Sequence, residues 1–155
     1  MSVIIPETDG VSDEQFKAAE LRLGCRLPLA WREFTRRHDG ASPSPNTFDV
    51  PDNRSGVRAF VPILEAADLR QQIEGFPLHG VPIAQDDCGN YIWLDPESGG
   101  VFFWDHEVDG PSSLIAPDVE AFVAGLQPFD ASSVKLEPGQ MISAWVHPDF
   151  KPQFD

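Results

Sequence analysis

The first forty residues place apolar side chains at the three- and four-residue spacing of two amphipathic helices. Phe16 and Leu23 share one face of the run SDEQFKAAELRLG, which Ser12 can cap at its start and Gly24 can end. A second helix is predicted from Pro28, which needs no amide partner in a first turn, to the sequence HDG. We expect the two helices to bury a common set of side chains, namely Leu21, Leu27, Trp31 and Phe34.

The pattern then becomes irregular before helical spacing returns. Residues 41–56 are rich in turn-forming residues and predict a loop with at most a short strand at TFDV. VRAFVPI, residues 57–63, is typical of a strand, and EAADLRQQIEGF, residues 65–76, has the pattern of a third helix. A last helix is predicted over PDVEAFVAGL, residues 117–126.

Between these helices, three short apolar runs indicate a β-meander. VPIA, NYIWLD and VFFWD are separated by the turn sequences QDDCG and PESGG, so residues 81–105 predict three antiparallel strands. Within DCGN, Gly89 can supply a positive φ and Asn90 can tolerate one. In the third run, Phe102 and Trp104 share one face and Phe103 lies on the other, so at least one aromatic set should be buried.

These elements together predict one α+β domain over residues 1–127, with an antiparallel sheet of about four to six strands backed by helices. Residues 128–155 are predicted to form a C-terminal extension that packs on the domain.

The chain has 155 residues, of which 41% are hydrophobic, so it is long enough for a core without a disulfide or a metal. Its two cysteines, Cys25 and Cys88, are far apart and suggest neither a zinc motif nor a disulfide framework. The N-terminus lacks the pattern of a secretory signal, and no run reaches a membrane-spanning length, so we expect a cytoplasmic protein.

Charge is the most informative part of the composition. The formal net charge is −14, and no Lys or Arg occurs from Gln71 to Val134. Such a surface repels nucleic acids and anionic membranes and accelerates association with a cationic partner, although acidic surfaces also serve solubility. The acids of that stretch are Glu74, Asp86, Asp87, Asp95, Glu97, Asp105, Glu107, Asp109, Asp118, Glu120 and Asp130.

The stretch VFFWDHEVDG, residues 101–110, raises the question of chemistry, because His106 lies between carboxylates. A metal site is disfavoured, because alternation along a strand places His106 opposite Asp105 and Glu107. Acid–base catalysis would need a buried carboxylate, whereas the candidate acids lie in turns or at strand ends. No nucleophile motif is visible, and Cys88 lies in a turn without an evident histidine partner. We therefore expect neither a catalytic residue nor a cofactor. The remaining explanation for this acidic stretch is a surface that contacts a partner.

The order of these features resembles the SUKH superfamily, which groups Smi/Knr-type cell-wall regulators with many bacterial immunity proteins. The resemblance is carried by AELRLGCRLPLAWREFTRRHDG, VPIAQDDCGNYIWLD, VFFWDHE and IAPDVEAFVAGL, in this order over residues 12–127. Trp31 takes the place of a common tyrosine of the family, and Asp39 stands where an asparagine is usual.

The resemblance implies a protein-binding function rather than an enzyme. Immunity proteins bind a toxin, frequently a nuclease whose active-site surroundings are cationic, and an acidic surface would complement it. The alternatives are a regulatory or scaffold protein with a non-toxin partner and, less favoured, a metal-dependent hydrolase. The predicted partner-binding residues are Asp86, Asp87, Asp95, Glu97, Asp105, His106, Glu107 and Asp109.

Overall fold

The computed structural model describes residues 3–129, and it shows one α+β domain in which a six-stranded antiparallel sheet is combined with four helices. The fold class is thus confirmed, and the strand number lies at the upper end of the predicted range. The predicted C-terminal extension lies, apart from residues 128 and 129, outside the described residues. The elements in chain order are α1 (Asp13–Leu23), α2 (Leu29–His38), β1 (Thr47–Val50), β2 (Asn53–Phe60), a 3-10 turn (Ile63–Glu65), α3 (Ala66–Gln72), β3 (Val81–Asp86), β4 (Tyr91–Leu94), β5 (Val101–Trp104), β6 (Ser113–Ala116) and α4 (Val119–Ala124).

Helix α1 begins and ends where its sequence predicts. Ser12 and Gln15 form a capping box in which each side chain accepts a hydrogen bond from the other residue's backbone amide. Gly24 ends the helix in the left-handed conformation with φ 73°, which glycine adopts without a steric penalty. Phe16 and Leu23 are buried as expected.

Leu21, in contrast, was predicted to be buried, and this prediction is wrong, because 83% of the residue is exposed. The buried stripe of α1 includes Ala19 and Leu23, and a residue two positions after Ala19 points to the opposite side of a helix. Trp31 of α2 is buried to 1% exposure and stacks on Phe34, so the central side chain of the predicted helix pair does lie in the core.

The third and fourth helices are shorter than their predicted ranges. The apolar spacing favoured a helix from 65 to 76, but α3 ends at Gln72, because Ile73 is already extended and Gly75 has φ 81°. The predicted helix 117–126 is reduced to Val119–Ala124, and Asp118 caps it by accepting a hydrogen bond from the amide of Ala121.

The sheet runs in simple chain order from β1 to β6, and each strand is antiparallel to its neighbour. The predicted meander over residues 81–105 is therefore confirmed as β3, β4 and β5, and Gly89 in its first turn has φ 87° as expected. Two strands differ from expectation. The strand predicted at 57–63 begins earlier, at Asn53 inside the predicted loop, and ends at Phe60. Strand β6 was not predicted, because SLIA is a short run without alternation.

The helices cover one face of the sheet, here called the inner face. Ile92 and Leu94 of β4 and Val101 of β5 have 0% exposure, and Phe103 follows at 9%. Phe103 packs edge-to-face with Phe48 of β1, with ring centroids 6.0 Å apart. This face and the apolar sides of the helices form one continuous hydrophobic core.

The alternate residues of β4 and β5 point to the opposite face, here called the outer face. Tyr91 pairs with Trp104 and Trp93 pairs with Phe102 across the two strands. The segment between α3 and β3 crosses this face, where Phe76 contacts both Tyr91 and Trp104. The expectation that one aromatic set is buried is thus met by Phe103 on the inner face. None of the helices within residues 3–129 is long and apolar enough to cross a membrane.

Candidate protein-binding site

The eight predicted partner-binding residues do not form one patch. Asp86 and Asp87 lie at the β3–β4 turn, and residues 105–109 form the start of the β5–β6 loop at the same end of the sheet. Asp95 and Glu97 lie in the β4–β5 turn, at the opposite end of these strands. The acidic residues therefore fall into two groups, which β4 and β5 separate, and we call them the β5–β6 end and the β4–β5 end.

Asp86 belongs to the interior rather than to a contact surface. The sequence predicts an exposed carboxylate, and this is wrong, because only 3% of Asp86 is exposed. Its Oδ1 accepts hydrogen bonds from the amides of Cys88 (2.9 Å) and Asn90 (2.8 Å). Its Oδ2 accepts hydrogen bonds from Asn90 Nδ2 (3.0 Å) and Ser55 Oγ (2.8 Å). These bonds compensate the carboxylate for its loss of water and fix the turn and the start of β2 around it.

Asn90 connects this carboxylate to the β5–β6 loop. Its Oδ1 lies 2.6 Å from His106 Nδ1 and accepts a second hydrogen bond, at 3.1 Å, from the amide of His106. The His106 ring also lies beside Gly89, where a Cβ atom would be 3.4 Å from it. Asn90 was expected to tolerate a positive φ, but among the described non-glycine residues only Asp52 has one. The role of Asn90 lies in its side chain, which holds the loop to the turn.

His106 is consequently placed by hydrogen bonds rather than by strand alternation. Strand β5 ends at Trp104, so the face assignment expected for residues 105–107 does not apply. Asp105 Oδ1 accepts a hydrogen bond from the amide of Glu107 (2.9 Å), which begins a tight turn. Glu107 and Asp109 are left exposed on the loop, with His106 Nε2 3.8 Å from Glu107 Oε1.

A cleft of about 270 Å³ lies next to this loop. Its walls come from the β1–β2 turn, the β3–β4 turn and the β5–β6 loop, and they include Trp104, Asp105 and Val108. Arg54, which is 3.2 Å from the carboxylate of Asp49, also lines it. The cleft therefore combines carboxylates, an arginine and apolar walls rather than acids alone.

The β4–β5 end is held by its own turn. Asp95 accepts hydrogen bonds from the amide of Glu97 and the hydroxyl of Ser98, both at 2.9 Å. Burial, the largest single influence, acts to raise the pKa of the Asp95 carboxyl, but these hydrogen bonds and the nearby His79 together lower it. Asp95 is thus a turn-forming carboxylate, while Glu97 is exposed.

Arginines of the first part of the chain pair with acids of that same part. Arg36 lies 2.8 Å from Asp13, Arg37 pairs with Glu7, and Arg22 pairs with Asp68. Such exposed pairs contribute little to stability, but they partly neutralise the helical side of the domain. Residues 71–129 contain acids but no Lys or Arg, so most of the uncompensated negative charge of the described residues lies there.

The described residues contain no group of three or more His, Cys, Asp or Glu side chains placed to hold a metal ion. His106 makes its closest contact with an amide oxygen and not with a carboxylate. Cys25 and Cys88 are both free thiols, and burial raises the pKa of Cys25. The arrangement at the β5–β6 end is thus a hydrogen-bonded scaffold that anchors the start of the loop carrying the exposed Glu107 and Asp109.

Two residues of this scaffold, Ser55 and Asn90, were not recognised from the sequence as part of it. Ser55 lies in the segment predicted as a loop, and nothing local reveals that its hydroxyl reaches Asp86, 31 positions away. Asn90 was noted only as a turn residue. The signal that could have identified it is the spacing of Asp86, Gly89 and Asn90, because an aspartate four residues before an asparagine can bridge a tight hairpin turn through both side chains.

The fold and this site define a small α+β domain whose most distinctive surface is a set of ordered, acidic loops. Comparison with protein families then assigns it: residues 10–125 match the SMI1/KNR4 family (SUKH-1), and the chain belongs to this family. The predicted superfamily is thereby confirmed.

A similar protein is the SPbeta prophage-derived uncharacterized protein YokK of Bacillus subtilis strain 168. The two sequences are 28% identical over an alignment of 149 residues, and the match covers 77% of this chain and 78% of that protein.

Proposed function

We propose that this protein is a non-catalytic binding module of the bacterial cytoplasm, and most concretely an immunity protein that neutralises a cationic protein toxin, such as a nuclease. The observation that carries the proposal is the β5–β6 end of the sheet. There the buried Asp86 and Asn90, through a hydrogen bond to the exposed His106, anchor the start of a loop on which Glu107 and Asp109 are exposed.

A preorganised acidic loop suits recognition more than it suits catalysis. A loop that is already fixed loses little conformational entropy when a partner binds, and its charge accelerates encounter with a cationic surface. A catalytic carboxylate would need to be both accessible and perturbed, whereas the buried Asp86 is fully used by four hydrogen bonds. Family membership and the likeness to a prophage-derived protein support the same proposal.

The test uses the protein encoded by the gene directly beside this one. Both proteins are purified, with the neighbour in an inactive form if it is toxic, and their complex is measured by isothermal titration calorimetry. We expect a one-to-one complex, and co-expression should restore the growth of cells that produce the active neighbour. A complex without growth rescue would indicate a regulatory or scaffold protein instead. Absence of any complex would contradict the toxin-neutralising function.

A further inference from the structure

The outer face of β4, β5 and β6 carries aromatic side chains where a sheet facing water would carry polar ones. Trp93 of β4 and Phe102 of β5 are stacked, with ring centroids 4.5 Å apart and an interplanar angle of 14°. Leu114 of β6 is directly paired with Phe102. Trp104 lies farther along β5 on the same face, 5.5 Å from Phe76 between ring centroids. We call Trp93, Phe102, Trp104 and Leu114 the aromatic face.

This face is fixed before any partner arrives. The indole of Trp93 lies so close to Gly80 that a Cβ atom there would be 2.6 Å from the ring, so only glycine fits beneath it. Trp93 Nε1 donates a hydrogen bond of 2.9 Å to Ser112 Oγ. His79 packs edge-to-face against the same ring at 5.5 Å. Trp93 is consequently 5% exposed and serves as the rigid base of the face.

The β5–β6 part of the face is open to solvent. Leu114 is 61% exposed, and Phe102 and Trp104 are partly exposed. The inner-face residues of the same strands, Ile92 and Val101, have 0% exposure. A rigid aromatic base with an exposed aliphatic neighbour has the composition of an interface centre, in which aromatic anchors supply most of the binding energy.

Charge identifies the kind of partner. The two acidic groups lie at the two ends of the strands that carry the aromatic face: Trp104 and Asp105 line one cleft, and His79 and Asp95 line another. Arg70 also reaches the second cleft, but its guanidinium donates hydrogen bonds to backbone carbonyls, including that of Leu23 at 2.9 Å. The face is thus an apolar centre between two groups of acids, although Arg54 lines the first cleft and Arg26 lines the second.

We propose that this aromatic face is the docking surface for the cationic partner, with Phe102 and Leu114 at its centre and the acidic groups at its two rims. This inference rests on the proposed function and deepens it, because it assigns the contact to one side of the sheet. The partner that fits presents an apolar side chain flanked by lysines or arginines, since each would meet its complement.

The experiment measures the Kd of the purified neighbouring gene product for the full-length chain and for single variants by calorimetry. Leu114→Ala and Phe102→Ala should each weaken binding at least about 10-fold, which is the loss expected when an anchor side chain is truncated. Leu29→Ala is the matched control, because this leucine is 69% exposed on α2, and it should leave the Kd unchanged. If the unaltered chain binds and both variants bind equally well, the aromatic face is not the docking surface, while the proposed function stands. If the unaltered chain does not bind, the proposed function and this inference both fail.

Hydroxyl-radical footprinting of the full-length chain provides a second readout. Phe102 and Leu114 should be oxidised in the free protein and protected in the complex, whereas Leu29 should be oxidised in both. Protection already present in the free protein at all concentrations would assign the face to residues 130–155 of the same chain. Protection that increases with protein concentration would assign it to a second copy. Either result would overturn the proposal.

Discussion

The inner and outer faces of the β4–β5 hairpin use alternate residues of the same two strands but differ in what covers them. On the inner face, Ile92, Leu94 and Val101 have 0% exposure beneath the helices and strand β1. On the outer face, Trp93 is buried by its immediate neighbours, but Phe102 and Trp104 are still partly exposed. Aliphatic residues that fill a closed core give stability, whereas an aromatic face left partly open suits recognition. The difference suggests that stability and binding are assigned to opposite sides of one sheet.

The largest effect is expected on the inner side. Trp31 has 1% exposure and packs against Phe34 and, at a centroid distance of 6.1 Å, Phe60 of β2. Trp31→Ala should therefore lower the free energy of unfolding by about 3–5 kcal/mol, because it leaves a large cavity. Urea denaturation followed by circular dichroism measures this change. A loss below 1 kcal/mol would show that the inner side does not hold the stability that we assign to it.

Phe102 and Phe103 are adjacent on β5 and point to opposite faces, so substituting each one allows a direct comparison of the two faces. Phe103→Ala should cost about 3–5 kcal/mol of unfolding free energy, because Phe103 is buried against Phe48. Phe102→Ala should cost less, about 1–2 kcal/mol, because Phe102 is already partly exposed and therefore loses less buried apolar surface together with its stacking on Trp93. Both values come from the same denaturation experiment. Equal losses would erase the distinction between the faces.

A substitution of Asp86 tests whether the order of the β5–β6 end depends on the buried hydrogen bonds between Asp86 and Asn90. Asp86→Ala leaves the amides of Cys88 and Asn90 and the side chain of Asn90 without an acceptor, and it should cost about 2–3 kcal/mol. Ser55→Ala is the control, because it removes a single hydrogen bond and should cost about 1 kcal/mol. Amide hydrogen exchange should also become faster at residues 105–109 in Asp86→Ala. Unchanged exchange there would mean that Asn90 does not transmit the order of the turn to the loop.

The smallest stability effect concerns Asp39, which accepts a hydrogen bond of 2.9 Å from the amide of Ile63. Burial raises the pKa of Asp39, with a further increase from Glu65, although the Ile63 hydrogen bond opposes it. A raised pKa in the folded state means that the charged form weakens the fold, so stability decreases as the pH rises through that pKa. Asp39→Asn should therefore stabilise the fold slightly at pH 7, and the gain should vanish in acid. Denaturation at pH 7 and pH 4 measures it, and a gain that is larger at pH 4 would contradict this sign.

The sequence predicts the fold well where the signal is local. Three local features were predicted correctly, namely the capping box of Ser12 and Gln15, the left-handed Gly24 and the turn at Gly89. Each depends on residues only a few positions apart, so a short stretch of sequence is enough to predict it. Strand β6 escaped prediction, because its four residues are held by pairing with β5 rather than by their own pattern.

The candidate site is less predictable for the same reason. Asp86, Glu107 and Asp109 look alike in the sequence as turn acids, but Asp86 is buried. Three of its hydrogen bonds come from Cys88 and Asn90 in the same turn, whereas the fourth comes from Ser55, 31 positions away, and becomes known only from tertiary structure. The predicted meander, in contrast, already implies that the turn of Asp95 and Glu97 lies at the opposite end of β4 and β5 from the turn of Asp86 and Asp87, because successive turns of antiparallel strands alternate between the two ends. Charge composition predicts that an acidic surface exists, whereas the pairing of strands decides which acids share it.

If exposed acids of the β5–β6 end steer a cationic partner onto this domain, as we propose, the association rate constant should depend on their charge. The variant Glu107→Lys with Asp109→Lys reverses two exposed charges, and Asp9→Lys with Glu14→Lys is a control with the same change in net charge on the helical side. Stopped-flow association with the neighbouring gene product should be slowed at least about 10-fold for the first variant at 10 mM salt. The difference should shrink at 150 mM, where the Debye length falls from about 30 Å to about 8 Å. The control should lose much less. Equal rate constants for all three proteins at every salt concentration would contradict the claim.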